Sequence, residues 1–295
     1  MLLARLVEEF KAANPHWQPT TRRRVDNHLE LLCILLGKDR QIETITKHDF
    51  RHVRMMLPRV SSNATKRKVG LVGCPPFLSV KSRNDFITWV RSFWKWLELS
   101  FDEVTYNPTI ALQAFKGEVS SRDVISDESL ASWLEESTPR DRLLIASLSL
   151  TGTRLGELAM ALPSDVDVSS GTLSIRPNKA RHLKTPCSHR MIPLHPSIDA
   201  QELKDCLPFT STKAGLAILS KRLNRRLNKV IDNASVCVHS LRHWIATKLK
   251  EQGVEDSLVA DILGHSLGTM TSRYAKSSSI DRKRVAIARL ALPVR

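Results

Sequence analysis

Five short segments of this 295-residue chain carry side chains suited to chemistry on a phosphodiester. In chain order they are Thr151-Gly152-Thr153-Arg154-Leu155-Gly156-Glu157-Leu158, the stretch from Leu183-Lys184-Thr185 to Arg190-Met191-Ile192-Pro193-Leu194, His239-Ser240-Leu241-Arg242-His243, Leu263-Gly264-His265, and Tyr274 nine residues further on. Moving a phosphodiester needs an oxygen nucleophile, a proton for the leaving oxygen, and positive charge facing the non-bridging oxygens. Arg154 and Arg242 suit the last task, because a guanidinium forks onto two oxygens and stays charged at any working pH. Glu157, one turn beyond Arg154, is placed to orient a guanidinium. His239 lies three residues before Arg242 and so shares its helix face, where it can take and return a proton. His265 offers a further hydrogen bond, a hairpin lysine suits the acid, and the Tyr274 phenol suits the nucleophile. Each residue also has a plain structural use, as helix-end ion pair, structural imidazole or half-buried ring. The ordered set, not any one member, points to chemistry.

Other chemistries lack their signatures. There is no Gly-x-x-x-x-Gly-Lys-Ser/Thr loop, and Gly152 with Gly156 makes no dinucleotide fingerprint. His239 and His243 have the spacing of a zinc pair, but Ser240 stands where the motif needs Glu, and no third ligand lies at a familiar interval. Cysteines 33, 74, 187, 206 and 237 form no Cys-x-x-Cys pair, which reads as reduced thiols.

The elements that must position these residues are mostly helices. Thr20 or Thr21 caps a segment with Val25, Leu29, Leu32, Cys33 and Leu36 at spacings of three and four, stopped by Gly37. A second helix covers Lys47 to Leu57 and ends at Pro58, and Ser61 to Pro76 reads as a loop. Ser82 caps a helix with Phe86, Val90, Phe93 and Leu97 on one face; Trp89, Trp94 and Trp96 thicken that stripe and read as core rather than as a base-stacking platform. Asn107-Pro108 closes the set, and a polar stretch from Gly117 to Asp123 reads as a linker. Beyond it, helices are expected at Ser126–Glu135, Arg140–Leu150, Thr212–Ile231, His239–Gln252, Val254–Leu263 and Ile280–Leu292, with antiparallel strands at Thr172–Arg176 and Arg190–Leu194.

Charge points to a polyanion. Forty-five Lys and Arg against 30 Asp and Glu give a net +15, shared as +7 over residues 1–120 and +8 over 121–295. Clusters at Arg22-Arg23-Arg24, Lys66-Arg67-Lys68, Lys221-Arg222 with Arg225-Arg226, and Arg282-Lys283-Arg284 favour a long phosphate-tracking surface over one basic arm. The 42% apolar content excludes a disordered basic tail, and no apolar run reaches the roughly 18 residues of a membrane span. Met1 to Phe10, with Glu8 and Glu9, lacks a secretory-signal pattern, so a cytoplasmic location is expected.

The order and spacing of the five segments resemble the tyrosine recombinases of the phage integrase family, most strongly from about Arg140 to Lys276. The resemblance implies a mainly α fold. Residues 1–118 would form a helical, SAM-like core-binding domain, 119–125 a linker, and 126–295 an α+β catalytic domain with a small antiparallel sheet and a C-terminal tail helix. It implies a catalytic set of Arg154, Lys184, His239, Arg242, His265 and the nucleophile Tyr274, supported by Glu157, with no cofactor and no metal. Lys184 is preferred over Lys179, since it heads Lys-Thr-x-x-Ser-x-Arg-x-Ile-Pro-Leu in the integrase manner, while the Arg-x-Ile-Pro-Leu strand reads as structural. His243 is either a partner behind the site or a packing group. The implied partners are double-stranded attachment or recombination sites held in a clamp, a homotetramer exchanging strands through a Holliday junction, and an accessory DNA-bending or excisionase protein. The implied setting is bacterial or phage-encoded and nucleoid-associated. The tail either docks on a neighbouring protomer or packs back on its own domain. Two rivals are a type IB topoisomerase, whose spacing from Leu-Gly-His to Tyr fits less well, and a non-catalytic DNA-binding protein on the same scaffold, which needs no phenol among cations.

Overall fold

The computed structural model describes residues 1–62, 65, 73, 75–117, 123–179, 181, 183, 188–265 and 278–293, and the chain divides into two compact units, Met1–Val119 and Ser120–Arg295. The first unit is helical: α1 (Leu3–Ala12), α2 (Pro19–Leu36), α3 (Lys47–Met56) and α4 (Val80–Ser100). α1, which has no counterpart in the sequence reading, buries Leu3, Leu6, Val7 and Phe10, a stripe at spacings of three and four. α2 begins at Pro19 rather than being capped by Thr20 or Thr21: proline's fixed φ suits the first helical position, where no N–H is needed. Gly37, at φ +93°, ends that helix. Thr46 and Asp49 close a capping box on α3. α4 is capped by Ser79, which accepts from the Ser82 amide at 3.2 Å, so Ser82 is the cap's partner and not the cap.

The tryptophans of α4 are packing groups. Trp94 is fully buried, donates from Nε1 to the Tyr106 carbonyl at 3.3 Å, and meets Phe50 edge-on. Trp89 stands edge-on to Trp17, and Trp96 stacks beside Phe93. Edge and offset contacts of this kind add about 1 kcal/mol per pair beyond area burial.

The second unit surrounds one helix. α6 (Pro139–Thr151) is buried on nearly every side, which is why amphipathic periodicity describes it poorly. Two of its buried hydroxyls are satisfied within the helix: Ser149 donates to the Ile145 carbonyl at 2.9 Å and Thr151 to that of Ser147 at 2.5 Å, while the buried Ser147 hydroxyl has no hydrogen-bond partner among the described residues. α10 (Ser240–Glu251) packs along α6, and α5 (Asp127–Glu135) is tied to α10 where Asp127 accepts from Trp244 at 2.6 Å and Lys248 at 2.7 Å. The sheet is antiparallel in the order β1 (Val166–Asp167), β2 (Thr172–Ile175), β3 (Arg190–Pro193), with Leu173 opposite Ile192 and Ile175 opposite Arg190. α7 (Leu155–Ala159) and α8 (Ala200–Cys206), like β1, are too short for a periodic signal and were not expected. α9 (Lys213–Val230), α11 (Asp256–Leu263) and α12 (Ile280–Ala288) complete the unit. α12 ends short of Leu292 and packs against β3, burying Ala286 and Ile287 in its own unit's core. Among the described residues no helix is long and apolar enough to cross a membrane.

Candidate active site

The site starts where α6 stops. Gly152, at φ +63°, caps α6 in the left-handed conformation, and a Cβ there would stand 2.4 Å from Leu263 Cδ2. The chain turns through Thr153, whose hydroxyl lies 2.9 Å from that of Thr151, and Arg154 begins α7 in an extended conformation. Glu157, three residues on, accepts from the Arg154 amide at 2.9 Å and from its guanidinium at 2.5 Å. One short helix turn thus sets both ends of Arg154.

Arg242 enters from the first turns of α10. It is 3% exposed and donates 2.5 Å hydrogen bonds to the carbonyls of Gly152 and Leu263. Burial first, then the charges of Arg154 and Arg190, hold its guanidinium down to about 9, still protonated at neutral pH. His265 follows Gly264, the left-handed cap of α11, and its amide donates to Ala260 at 2.9 Å. Burial, then Arg242, Arg154, Arg190 and His243, push its imidazole down to about 4. Burial alone would raise the Glu157 carboxyl, but Arg190 and Arg154 outweigh it and hold it below the usual range.

His239 is the exposed N-cap of α10, with its ring edge-on to that of His243 at 5.3 Å. Arg154, Glu157, Arg242 and His265 are therefore one coupled group, with His239 reaching it through His243. Lys184 and Tyr274 lie outside the described residues. Their described neighbours are anchored: Leu183 packs on the core, and buried Ser188 lies 3.4 Å from Arg154 Nη1. Lys179, the alternative lysine, is exposed.

Two further arginines, outside the expected catalytic set, bear on the site. Arg190 on β3 is buried and donates to Glu157 Oε2 at 2.9 Å. Arg181, also buried, meets Asp165 at 3.1 Å and donates to the Glu157 carbonyl, fastening the segment after β2 to α7. The signal for Arg190 was its register: it alternates with Ile192 on the core face of a strand, where a cation needs a carboxylate. Arg181 falls outside any regular element and had no such signal.

The basic clusters separate into different environments. Arg22 and Arg23 are exposed on α2, while Arg24 pairs with Asp85 at 2.8 Å. Lys66, Arg67 and Lys68 lie outside the described residues. Lys221 and Arg225 are exposed on α9, but Arg222 and Arg226 turn to the buried carboxylate of Asp141 and fasten α9 to α6. Lys283 is buried, and Arg282 and Arg284 pair with Glu255 and Asp281. Among the described residues no group of three His, Cys, Asp or Glu side chains is arranged to hold a metal.

Comparison with known proteins places this geometry. The model of the phage integrase family matches residues 124–279. The chain belongs to the phage integrase family of tyrosine-type site-specific recombinases. Among relatives, tyrosine recombinase XerC of Oceanobacillus iheyensis is 26% identical over 285 residues, 90% of this chain and 88% of that protein. Tyrosine recombinase XerA of Thermococcus kodakarensis is 29% identical over 160 residues, 50% of this chain and 54% of that one. The fold is shared with the Tn1549 transposon integrase solved with transposon right end DNA (TM-score 0.67, 17% identity, 98% and 99% of the two chains). It is also shared with a lambda integrase fragment solved as a dimer on a core site (TM-score 0.66, 19% identity, 94% and 96%).

Proposed function

We propose that this chain cuts and rejoins duplex DNA at specific sites through a 3′-phosphotyrosine on Tyr274. The observation that carries this reading is a charge imbalance. Arg154, Arg190 and Arg242 converge, yet among the described residues Glu157 is the one carboxylate hydrogen-bonded to them. A phosphodiester bearing one negative charge, gaining more in the transition state, matches what remains. Binding alone would be served by exposed lysines; a buried, preset Arg242 costs stability that a transition state repays.

In the forward step the Tyr274 phenolic oxygen attacks phosphorus, and its proton passes to His239. The bond from phosphorus to the 5′ oxygen breaks, and Lys184 gives that departing oxygen the proton that makes it a 5′ hydroxyl. Arg154 and Arg242 hold the non-bridging oxygens, and His265 donates a hydrogen bond as a neutral imidazole. Rejoining runs the same path backwards, with a 5′ hydroxyl from another strand as the attacking group. The bond energy is stored in the phosphotyrosine, so the balance needs no nucleotide hydrolysis. Unit 1, with Arg22 and Arg23 on its surface, serves as the core-binding domain, and exposed Lys221 and Arg225 of unit 2 track phosphates. Four copies on two sites, exchanging strands through a Holliday junction, with an accessory bending or excisionase protein, complete the reading by resemblance.

The test is a suicide duplex, nicked so that the short fragment bearing the freed 5′ hydroxyl leaves after cleavage. The wild-type chain forms a covalent protein–DNA adduct on its cognate site, with or without EDTA and without ATP. No adduct on a site it binds tightly would sink the reading, and site-independent relaxation by a monomer would replace it with the topoisomerase one.

A further inference from the structure

We propose that Arg190, a core residue of β3, is a positioning residue that sets Arg154 and His265 together. It rests on the recombinase reading for its catalytic readout, though not for its structural one. The guanidinium spends its three donor directions on two other segments and on the residues just before its own strand, each bond 2.9 Å long: Nε to the Ile262 carbonyl, Nη2 to Glu157 Oε2 and Nη1 to the Ser188 carbonyl. Each acceptor leads to a functional group. Glu157 holds Arg154 through both its amide and its guanidinium. Ser188, two residues before β3, accepts from Arg154 Nη1 at 3.4 Å. Ile262 stands in the last turn of α11, three residues before His265.

The end of α11 is gripped from two sides. Consecutive carbonyls, otherwise orphaned at a helix C-terminus, are taken by two arginines: Ile262 by Arg190 and Leu263 by Arg242. The Gly264 backbone then lies directly on Arg190, so that a Cβ at Gly264 would stand 2.8 Å from its Nη1. The turn bearing His265 has no room to shift independently of this guanidinium. A lysine cannot reproduce the fork, because its single ammonium cannot reach three acceptors spread over a plane. An apolar side chain, which a core-facing strand position would ordinarily take, would leave Glu157 with one cation instead of two.

The charges facing His265 are Arg242 and His243 from α10, Arg154 from the turn before α7, and Arg190 from β3. Removing Arg190 therefore alters both the geometry and the field at the imidazole, and two variants separate these effects. Arg190→Gln removes charge and fork; Arg190→Lys keeps the charge and loses the fork. Adduct formation on the suicide duplex is measured at saturating DNA, alongside DNA affinity and melting temperature, and the His265 imidazole is titrated by NMR without DNA. Arg190→Gln is expected to slow adduct formation roughly a hundredfold, the cost of an ångström-scale misplacement, at wild-type DNA affinity, and to move the His265 midpoint up from about 4. Arg190→Lys is expected to slow adduct formation while leaving that midpoint near its wild-type value. Should Arg190→Gln not fold, slow cleavage by a folded Arg190→Lys supports the proposal, and wild-type cleavage by it contradicts it. In a folded Arg190→Gln, wild-type adduct rates, an unmoved His265 midpoint, or a loss of DNA affinity as large as the loss of rate would overturn the proposal. A wild-type chain that forms no adduct at all defeats the recombinase reading instead, and the DNA-free titration then decides the role of Arg190.

Discussion

The guanidinium of Arg242 donates to the carbonyl oxygen of Gly152, two residues before Arg154, at 2.5 Å. This bond, between residues 90 apart in the chain, joins the two arginine-bearing segments through a helix cap. That cap has φ +63°, and Leu263 and Ile245 occupy the space a side chain would need. Site geometry and core packing meet at one glycine.

Gly152→Ala is accordingly expected to destabilise unit 2. The left-handed backbone costs a non-glycine residue about 1 kcal/mol or more, and the new methyl, 2.4 Å from Leu263 Cδ2, forces repacking worth about 1–3 kcal/mol. A urea-unfolding midpoint lowered by an amount equivalent to at least about 2 kcal/mol would agree; an unchanged midpoint would show that the cap is not constrained.

Asp141 anchors α9 through Arg222 and Arg226 and is itself buried. Asp141→Asn leaves both guanidiniums without their carboxylate. Because their side chains are 47% and 37% exposed, the cost falls below that of a fully buried pair, at about 2 kcal/mol. Denaturant unfolding measures it directly.

Lys221 and Arg225, on the same helix, are exposed and take no part in that anchor. Changing either to Gln is expected to leave stability unchanged and to weaken DNA binding uniformly across sequences. The slope of log K against log salt falls by about one for each phosphate that is no longer engaged. An unchanged slope would remove α9 from the DNA-facing surface.

His265 links stability to pH. Its imidazole is pushed from the usual 6.5 down to about 4, by burial and by the surrounding cations. Between those values the unfolded chain holds a proton that the folded chain lacks. The stability contribution is therefore present above pH 6.5 and drains away as pH falls towards 4. Glu157, held below its ordinary range, acts with the same sign, its contribution present above about 4.5 and lost as pH falls through its lowered value. Replacing His265 with Gln should flatten the dependence of unfolding free energy on pH between 6.5 and 4. Equal slopes for the two proteins would show that the imidazole is not held neutral.

Much of this was legible in the residues alone, for physical reasons. Long helices such as α4 announce themselves by stripes of apolar side chains, and Arg154, Glu157, Arg242 and His265 stand out by type and order. Caps are less legible: Ser79 and Ser82 hydrogen-bond to each other, so either suits the cap until the backbone is known. α1 carries an apolar stripe over only ten residues, short enough to escape notice beside its longer neighbours. α7 spans five residues, too few for any period, yet it is the turn that folds Glu157 back onto Arg154. Arg190 reads as structural because its strand reads as core; that placement is right, but its bonds into Glu157 and Ile262 are long-range and leave no local trace. Likewise, Arg222 and Arg226 look like surface cations until the buried carboxylate 81 and 85 residues earlier is seen.

The covalent reading rests on a single phenolic oxygen. Tyr106 belongs to unit 1 and lends its backbone carbonyl to Trp94, which leaves Tyr274 as the one tyrosine of unit 2. The decisive measurement is mass-spectrometric mapping of the protein–DNA adduct trapped on a suicide duplex, with Tyr274→Phe run beside the wild type. The expected result is a nucleotide remnant on Tyr274 in the wild type, and no adduct from Tyr274→Phe at undiminished DNA affinity. A remnant on any other residue, or an adduct that persists in Tyr274→Phe, would contradict it.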